Sequence, residues 1–377
     1  MNAEQFRQRL EAFVEAQIRD QVAEWEAGGR YPATLHREAG EAGILSVGMS
    51  SDDAPCAPLD AGLMRRAMLI RGLARGGAQS IAVGLGSHFV PLSAVAGGSK
   101  ECANEIAPSI WNGTHMIALA LTEPHGGSNL RDIRSYAQRD GSNYRISGEK
   151  AFICNGTRAE YLLVSACLAD SGPSLFLVES GERVRKQPLV PLGWRALPQA
   201  HLTFVDAPAR LVGQPGSALR LLRPALALER VNLAVLAITS ARLLFDEMLA
   251  DACMREIDGC ALAEKQAPAH RLACSATQLR IVETFVDALL TSFGEDGAPA
   301  MPPQTDIAMA KNAATRLLEL VAREAVQFAG ARGCVAPSLA ERMFRDARLL
   351  AIGGGSEEVM NEIIVRDLRR NHAESNR

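Results

Sequence analysis

The sequence predicts an α+β protein with three successive regions: helices, a small antiparallel β domain and a helical bundle. Only 5% of the 377 residues are aromatic while 47% are hydrophobic, a composition that favours long helices over an all-β fold. Both ends of the chain carry apolar residues at helical spacing, and the middle carries short apolar runs separated by turn residues. The length is sufficient for two or three domains.

Residues 1–115 are predicted to form an N-terminal helical domain. The stretch "EQFRQRLEAFVEAQI" carries apolar residues at steps of three or four, on one face of a helix: Phe6, Leu10, Phe13, Val14 and Ile18. The stretch "AGLMRRAMLIRGLARGG" repeats this helical pattern and stops at glycine, a common helix terminator.

Residues 116–212 are predicted to form a middle β domain. The runs "YRISGEKAFIC", "EYLLVSACLA", "SLFLVES" and "HLTFVDA" are short, apolar or alternating, and bounded by turn residues. Because no helix fits between strands so close in sequence, we expect them to pair antiparallel.

Residues 213–377 are predicted to form a C-terminal helical bundle. The stretch "ALERVNLAVLAITSARLLFDEMLADACM" is apolar on most sides, as in a buried helix. The stretch "NAATRLLELVAREAVQFAG" carries one apolar stripe and ends at Gly330. The Pro- and Gly-rich segment 295–306 is predicted to be a loop.

Composition argues against several classes of partner and location. The net charge is −3 without a basic stripe, so we expect no nucleic-acid partner. We find no apolar run near the ~20 residues of a membrane span and no secretory signal pattern. The eight cysteines are scattered without C-x-x-C spacing, which is typical of a reducing compartment. We therefore expect a cytoplasmic protein without a membrane span.

The common cofactor and catalytic motifs are also missing from the sequence. Neither G-x-G-x-x-G after a strand, nor a P-loop, nor H-E-x-x-H, nor G-x-S-x-G is present. The seven histidines lack metal-ligand spacing, so we expect no metal site.

The most informative stretch is "ALALTEPHGGSNLRDI", residues 118–133. A strand runs into a Gly-Gly-Ser turn, where backbone N–H groups can approach a ligand closely and Ser128 adds a hydroxyl. On its own this pattern is more typical of a plain turn at the end of a strand.

Together with "ISGEKAFICNG" some twenty residues later, this stretch resembles the acyl-CoA dehydrogenase family. The β domain of that family carries a TEP-x-x-GS turn followed by a G-x-K-x-[WF]-I-[ST]-N-G strand. Further segments resemble the family in the same order along nearly all of the chain: "LHREAGEAGILSV", "GGSKECANEIAPSIWNG", "GWRALPQAHLTFVDAP" and "RDARLLAIGGGSEEVMNEIIVRDL". The resemblance implies an N-terminal helical domain, a middle β domain and a C-terminal four-helix bundle. It also implies FAD, held between the β domain and the bundle of a homodimer or homotetramer.

The resemblance implies a set of flavin contacts in the β domain. Ser128 would contact the pyrophosphate and Phe152 would pack against the flavin ring. Cys154 stands where the family normally has a hydroxyl that donates to flavin N5; a thiol is a weaker donor, so this contact would rest more on the backbone N–H. The full set of positions is Leu119, Leu121, Thr122, Gly127, Ser128, Phe152 and Cys154.

By the same resemblance, the bundle supplies further cofactor contacts. Arg255 would reach the phosphates of a cofactor in a neighbouring subunit; without the resemblance, a surface ion pair is the simpler interpretation of this arginine. Asp258 replaces the phenylalanine of the family's R-x-x-F-G pattern, which changes the expected packing on the adenine side. The full set of positions is Arg255, Gln327, Gly330, Ser356 and Glu358.

The base that removes the substrate's α-proton is missing from its usual place. Many family members carry it in a C-terminal Y-E-G-T pattern, where this chain reads Gly353-Gly354-Gly355-Ser356. Members with glycine there take the base from a bundle helix, in a pattern like the "LALER" of this chain, which contains Glu229. Glu229 lies on an apolar helical face, where desolvation would raise its pKa toward that of a general base. The alternative is a structural ion pair with a neighbouring arginine.

The resemblance also gives roles to two residues near this base. The backbone N–H of Gly354 would donate to the thioester carbonyl, while the glycines let the backbone pass close to substrate and flavin. Arg230, next to Glu229, would orient the base or touch the substrate.

The leading hypothesis is therefore FAD-dependent oxidation of an acyl thioester to the trans-2-enoyl product. The thioester carrier is coenzyme A or an acyl-carrier protein, and the electron acceptor is an electron-transfer flavoprotein or a similar protein. Two alternatives stay open: a flavin oxidase or monooxygenase on the same scaffold, and a non-catalytic relative that has lost its base.

Overall fold

The predicted order of helices, β domain and helices is confirmed by the computed structural model, which describes residues 2–46, 63–291 and 302–375. Of the loop predicted at 295–306, residues 295–301 lie outside these residues, and residues 304–306 begin a helix instead. By contacts, the chain divides into a first compact unit (Met1–Leu69, Ser80–Pro191 and Arg195–Glu229) and a second one (Ile70–Gln79, Leu192–Trp194 and Arg230–Arg377). The domain boundaries expected near residues 115 and 212 stay predictions.

The N-terminal region is helical, as its periodicity predicts. Asn2 and Gln5 form a capping box that starts the first helix, whose buried face contains Phe6, Leu10 and Val14. The helices are α1 (Ala3–Gln17), α2 (Val22–Gly28), α3 (Thr34–Glu41), α4 (Leu63–Arg75), α5 (Gln79–Gly86), α6 (Phe89–Gly98) and α7 (Lys100–Trp111).

One segment of this region differs from the expectation that no part of the chain could span a membrane. Gln79–Gly98, which contains α5 and α6, is long and apolar enough to do so, and 61% of its most apolar window is buried inside the protein. Buried core helices commonly share these properties, so the segment is weak evidence for a membrane span.

The β domain is one sheet that closes on itself. Its strands are β1 (Ile117–Ala120), β2 (Tyr136–Asp140), β3 (Asn143–Cys154), β4 (Tyr161–Leu168), β5 (Gly172–Glu179), β6 (Val184–Leu189) and β7 (Gln199–Val212). Pairing runs β4–β2–β3–β7–β5 and returns to β4, with β1 added beside β4 and β6 beside β7. The side chains packed together within this domain include Ile146, Phe176 and Phe204.

The expectation of purely antiparallel pairing is wrong at two places in the sheet. β1 pairs with β4 in parallel over four residues, from Ile117 opposite Tyr161 to Ala120 opposite Val164, and β2 adds a single parallel pair with β4. Parallel neighbours need a long connection. The 40-residue stretch between β1 and β4 provides it, because it contains the antiparallel β2–β3 hairpin.

The C-terminal region is helical, as predicted, and contains five α-helices among the described residues. They are α8 (Ala218–Met254), α9 (Gln266–Thr291), α10 (Gln304–Ala329), α11 (Leu339–Ile352) and α12 (Glu357–Ser375). A short hairpin of β8 (Glu256–Ile257) and β9 (Cys260–Ala261) follows α8. Three successive glycines and Ser356 separate α11 from α12.

Candidate active site

The turn that follows β1 is anchored by a buried carboxylate, Glu123. Its two oxygens accept hydrogen bonds from the backbone N–H groups of Arg134, at 2.8 Å, and Ser135, at 3.0 Å. Lys150 Nζ donates to Glu123 Oε1 at 2.7 Å, and both side chains are almost fully buried. Burial alone would raise the pKa of Glu123, but the hydrogen bonds from Lys150 and Ser135 outweigh it and lower the pKa to about 2.

Lys150 also joins this turn to the neighbouring strands. Its Nζ donates to the Leu121 carbonyl and to Ser165 Oγ, both at 3.1 Å, and Ala151 N–H donates to the Thr122 carbonyl at 2.8 Å. The chain around Leu121 and Thr122 is therefore held rigidly beside β3.

The predicted phosphate-binding part of the turn leaves its backbone uncovered. Gly127 and Ser128 are exposed, and a Cβ atom on Gly127 would lie 2.9 Å from Thr122 Cγ2, so only glycine fits without a shift. Leu119 and Thr122 are half-buried, whereas Leu121 is buried. Exposed N–H groups and hydroxyls of this kind suit the polar groups of a nucleotide cofactor.

The end of β3 presents an aromatic side chain to solvent. Phe152 lies at a register irregularity between Lys150 and Ile153, adopts a φ of +60° and is 66% exposed. A non-glycine residue in this left-handed region is uncommon and often marks a functional position.

Asn155 fixes the chain that follows. It also has a positive φ of +55°, is fully buried and accepts a 2.7 Å hydrogen bond from Tyr31 Oη. Its amide donates to the Gly84 carbonyl and to Ser87 Oγ, both at 2.9 Å. Three hydrogen bonds to the N-terminal helical region thus hold the end of this strand.

Cys154 lies between these two residues and close to the predicted base. Burial, together with the negative charge of Glu229, raises the pKa of the Cys154 thiol to about 12. The thiol therefore stays neutral at physiological pH, as expected for a weak hydrogen-bond donor. Glu229 itself is half-buried on α8, on the same helical face as the buried Leu233 and Leu236.

The three glycines after α11 form a sharply bent loop in the second unit. Gly353 N–H donates to the Leu349 carbonyl at 2.8 Å, which closes the helix. Gly354 and Gly355 then adopt φ values of +67° and +101°, which side chains other than hydrogen disfavour.

Two buried cations hold this loop through its carbonyl groups. Arg230, 9% exposed, donates from Nε to the Gly354 carbonyl at 3.0 Å. Lys311, fully buried on α10, donates from Nζ to the Gly355 carbonyl at 2.6 Å and to the Ala351 carbonyl at 3.4 Å. The predicted substrate contact of Arg230 stays a prediction; its observed contact is with the loop.

The predicted phosphate ligand Arg255 is half-buried beside the end of α10. Its Nη1 donates to the Phe328 carbonyl at 2.8 Å, and Gly330, with a φ of +64°, lies next to its guanidinium group. Gln327 is exposed. The structure thus brings Arg255 and Gly330 together.

The presence of Asp258, where the family pattern has phenylalanine, has a structural explanation. Asp258 and Gly259 connect β8 to β9, with φ values of +54° and +70°. This is the two-residue hairpin turn that Asp-Gly favours, and a phenylalanine would be strained there.

Ser356 and Glu358 lie at the start of α12. Hydrogen bonds from the backbone N–H of Glu358 and from the Ser356 side chain lower the pKa of Glu358. The two residues, which are predicted to contact the cofactor, therefore also stabilise the start of α12.

The sequence analysis did not identify three residues that hold the candidate site in place: Glu123, Lys150 and Lys311. The first two stood in the quoted "TEP" and "GEK" motifs, but their pairing across 27 residues is not visible in a linear pattern. Lys311 was detectable, because it lies four residues from both Ile307 and Thr315 on the buried face of α10.

Comparison with known proteins agrees with this arrangement. The N-terminal, middle and C-terminal domain models of acyl-CoA dehydrogenase match residues 2–114, 118–207 and 219–369. The long-chain specific acyl-CoA dehydrogenase of Sus scrofa mitochondria is 30% identical over 96% of this chain and 85% of its own length.

Solved structures give the same result. A putative acyl-CoA dehydrogenase from Mycobacterium smegmatis is similar at a TM-score of 0.89 and 28% identity, over 98% of both chains. The acyl-CoA dehydrogenase of Geobacillus kaustophilus is similar at a TM-score of 0.89 and 28% identity, over the same 98% of both chains. The chain therefore belongs to the acyl-CoA dehydrogenase family, whose members are FAD-dependent oxidoreductases acting on CH–CH groups.

Proposed function

We propose that the chain catalyses the FAD-dependent α,β-dehydrogenation of an acyl-CoA to its trans-2-enoyl-CoA, with Glu229 as the base. The observation that carries this proposal is the position of Glu229, which is half-buried on the face of α8 that also carries the buried Leu233 and Leu236. Glu229 is also close enough to Cys154 for its charge to raise the pKa of that thiol.

We assign the following roles in the reaction to residues of the chain. Glu229 accepts the α-proton of the bound thioester. FAD, when bound, accepts the hydride from the β-carbon. The Gly354 N–H donates to the thioester oxygen, on which negative charge develops as the α-proton leaves. Arg230 supports this donor through its hydrogen bond to the Gly354 carbonyl.

The cofactor contacts proposed for the chain follow the same logic. The uncovered turn at Gly127 and Ser128 suits the pyrophosphate, and the exposed Phe152 suits the flavin ring. Leu119, Leu121 and Thr122 would border that ring, and Cys154 would contribute mainly its backbone N–H. The positions proposed for contact with the cofactor of a neighbouring subunit and around the loop are Arg255, Gln327, Gly330, Ser356 and Glu358.

The similarity to a long-chain specific enzyme supports a long acyl chain as substrate. A homodimer or homotetramer, an electron-transfer flavoprotein as acceptor and a cytoplasmic location complete the proposal by family resemblance.

The test is anaerobic reduction of the flavin by a panel of acyl-CoA thioesters of increasing chain length. Bleaching of the flavin absorbance by acyl-CoA, with the 2-enoyl product identified by mass spectrometry and slow reoxidation in air, is the expected result. Rapid reoxidation that forms hydrogen peroxide would instead identify a flavin oxidase. A colourless protein that cannot be reconstituted with FAD would overturn the proposal.

A further inference from the structure

Lys311 is fully buried, and its ammonium group is hydrogen-bonded to the triple-glycine loop. Burying a charge is costly unless hydrogen bonds compensate for the lost water. Its two carbonyl acceptors, Ala351 and Gly355, belong to the last turn of α11 and to the loop. The end of a helix carries partial negative charge, so this position favours a cation.

The hydrogen bonds of Lys311 and Arg230 fix the direction of successive peptide groups. In a trans peptide the C=O and N–H groups point in opposite directions. Since the Gly354 and Gly355 carbonyls face the two cations, the N–H groups of Gly355 and Ser356 are directed away from them. Gly354 is thus anchored on both sides, by the Gly353 hydrogen bond to Leu349 and by its own carbonyl.

The Gly354 N–H remains available as a donor. Among the described parts of the chain, no residue accepts a hydrogen bond from it. A backbone donor in a loop whose carbonyls are held by two buried cations suits the stabilisation of a developing oxyanion.

We propose that Lys311 is a positioning residue that also supplies a fixed positive charge to stabilise the enolate-like oxygen of the bound thioester. This inference rests on the proposed function, because it requires the thioester oxygen to lie at the Gly354 N–H. In this role Lys311 acts through its hydrogen bond to the Gly355 carbonyl and through its electric field.

The experiment measures the ionisation of a bound ligand rather than turnover. A 3-oxoacyl-CoA loses an α-proton to solvent, and the electron pair of the broken C–H bond is delocalised onto the carbonyl oxygens as an enolate. The pKa of the bound ligand is read from enolate absorbance against pH, in FAD-loaded protein that carries Glu229→Gln. This background removes the proposed base, so the result does not depend on its role.

Lys311→Met should raise the pKa of the bound ligand by about one unit or more, because it removes a neighbouring positive charge. Lys311→Arg, which keeps the charge, should stay near the parent protein. Lys265→Met is the matched control, since Lys265 lies in the same unit but pairs with Asp258 at the surface. With Glu229 intact, Lys311→Met should lower kcat roughly tenfold to a hundredfold with little change in KM.

An unchanged ligand pKa in Lys311→Met, or an equal shift in Lys311→Arg, would overturn the role of the charge. If Lys311→Met and Lys311→Gln both fail to fold, the pKa of the 3-oxoacyl-CoA is compared between the ligand bound to the Glu229→Gln protein and the free ligand. A bound ligand whose pKa is no lower than that of the free ligand contradicts the inference. Failure of any 3-oxoacyl-CoA to bind would instead contradict the proposed function.

Discussion

Lys150 and Glu123 form an ion pair in which both side chains are almost fully buried and Nζ lies 2.7 Å from Oε1. The pair holds the Thr122 turn against β3, so it supports the cofactor-binding surface proposed for the β domain without contacting a ligand. Removing one partner of a buried pair leaves an uncompensated charge.

Lys150→Met is therefore expected to destabilise the protein by about 3–5 kcal/mol, measured by denaturant unfolding followed through the β-domain signal. Lys100→Met, at an exposed lysine of the same unit, is the control and should have little effect. Adding Glu123→Gln to Lys150→Met should recover part of the loss; a double variant less stable than the single one would contradict this account.

Glu229→Gln is expected to lower turnover by orders of magnitude while FAD stays bound, because the amide cannot accept the α-proton. Glu247→Gln, on the same helix but exposed, should retain activity. Near wild-type turnover in Glu229→Gln would show that another group is the base.

Gly354→Glu in the Glu229→Gln protein is expected to restore activity only in part. It places a carboxylate at the position used by many relatives, but the φ of +67° disfavours any side chain there. The measurement is steady-state turnover with flavin content as control; full recovery would show that the loop accommodates a side chain freely.

Cys154 is expected to resist alkylation, because a thiol with a pKa of about 12 is ionised to about one part in a thousand at pH 9. Iodoacetamide labelling followed by peptide mass spectrometry should modify the exposed Cys253 and Cys274 first. Labelling of Cys154 at a comparable rate would mean that its thiol is neither buried nor close to a carboxylate.

Stability is expected to fall as the pH drops from about 6.5 toward 4, in part because His36 must become charged. Burial lowers the pKa of His36 to about 3, so the folded state binds a proton less readily than the unfolded state. The contribution is present above the unfolded pKa and is lost on acidification, at up to about 1.4 kcal/mol per pH unit. His36→Phe should give a shallower dependence of unfolding free energy on pH, and an unchanged slope would contradict this assignment.

The sequence predicted features that depend on local periodicity. The apolar spacing from Phe6 to Ile18 and the turn residues between strands were sufficient for the order of regions. The parallel pairing of β1 with β4 was not accessible, because pairing between strands separated by 40 residues depends on closure of the whole sheet.

In the candidate site, too, only some features could be predicted from the sequence. Glu229 could be proposed as the base from the sequence, because it is a carboxylate on an apolar helical face and lies at a position that the family resemblance singles out; that role stays a prediction. The contacts of Arg230 and Lys311 with the loop could not, because both partners are backbone carbonyls that have no sequence signature.

The contacts among Tyr31, Gly84 and Asn155 restrict the substitutions that the protein tolerates at these positions. A methyl group at position 84 would lie 2.8 Å from Tyr31 Oη, and that hydroxyl is already committed to Asn155. No one of the three can change size or polarity without disturbing the other two. In a set of natural variants, these positions should change together or not at all.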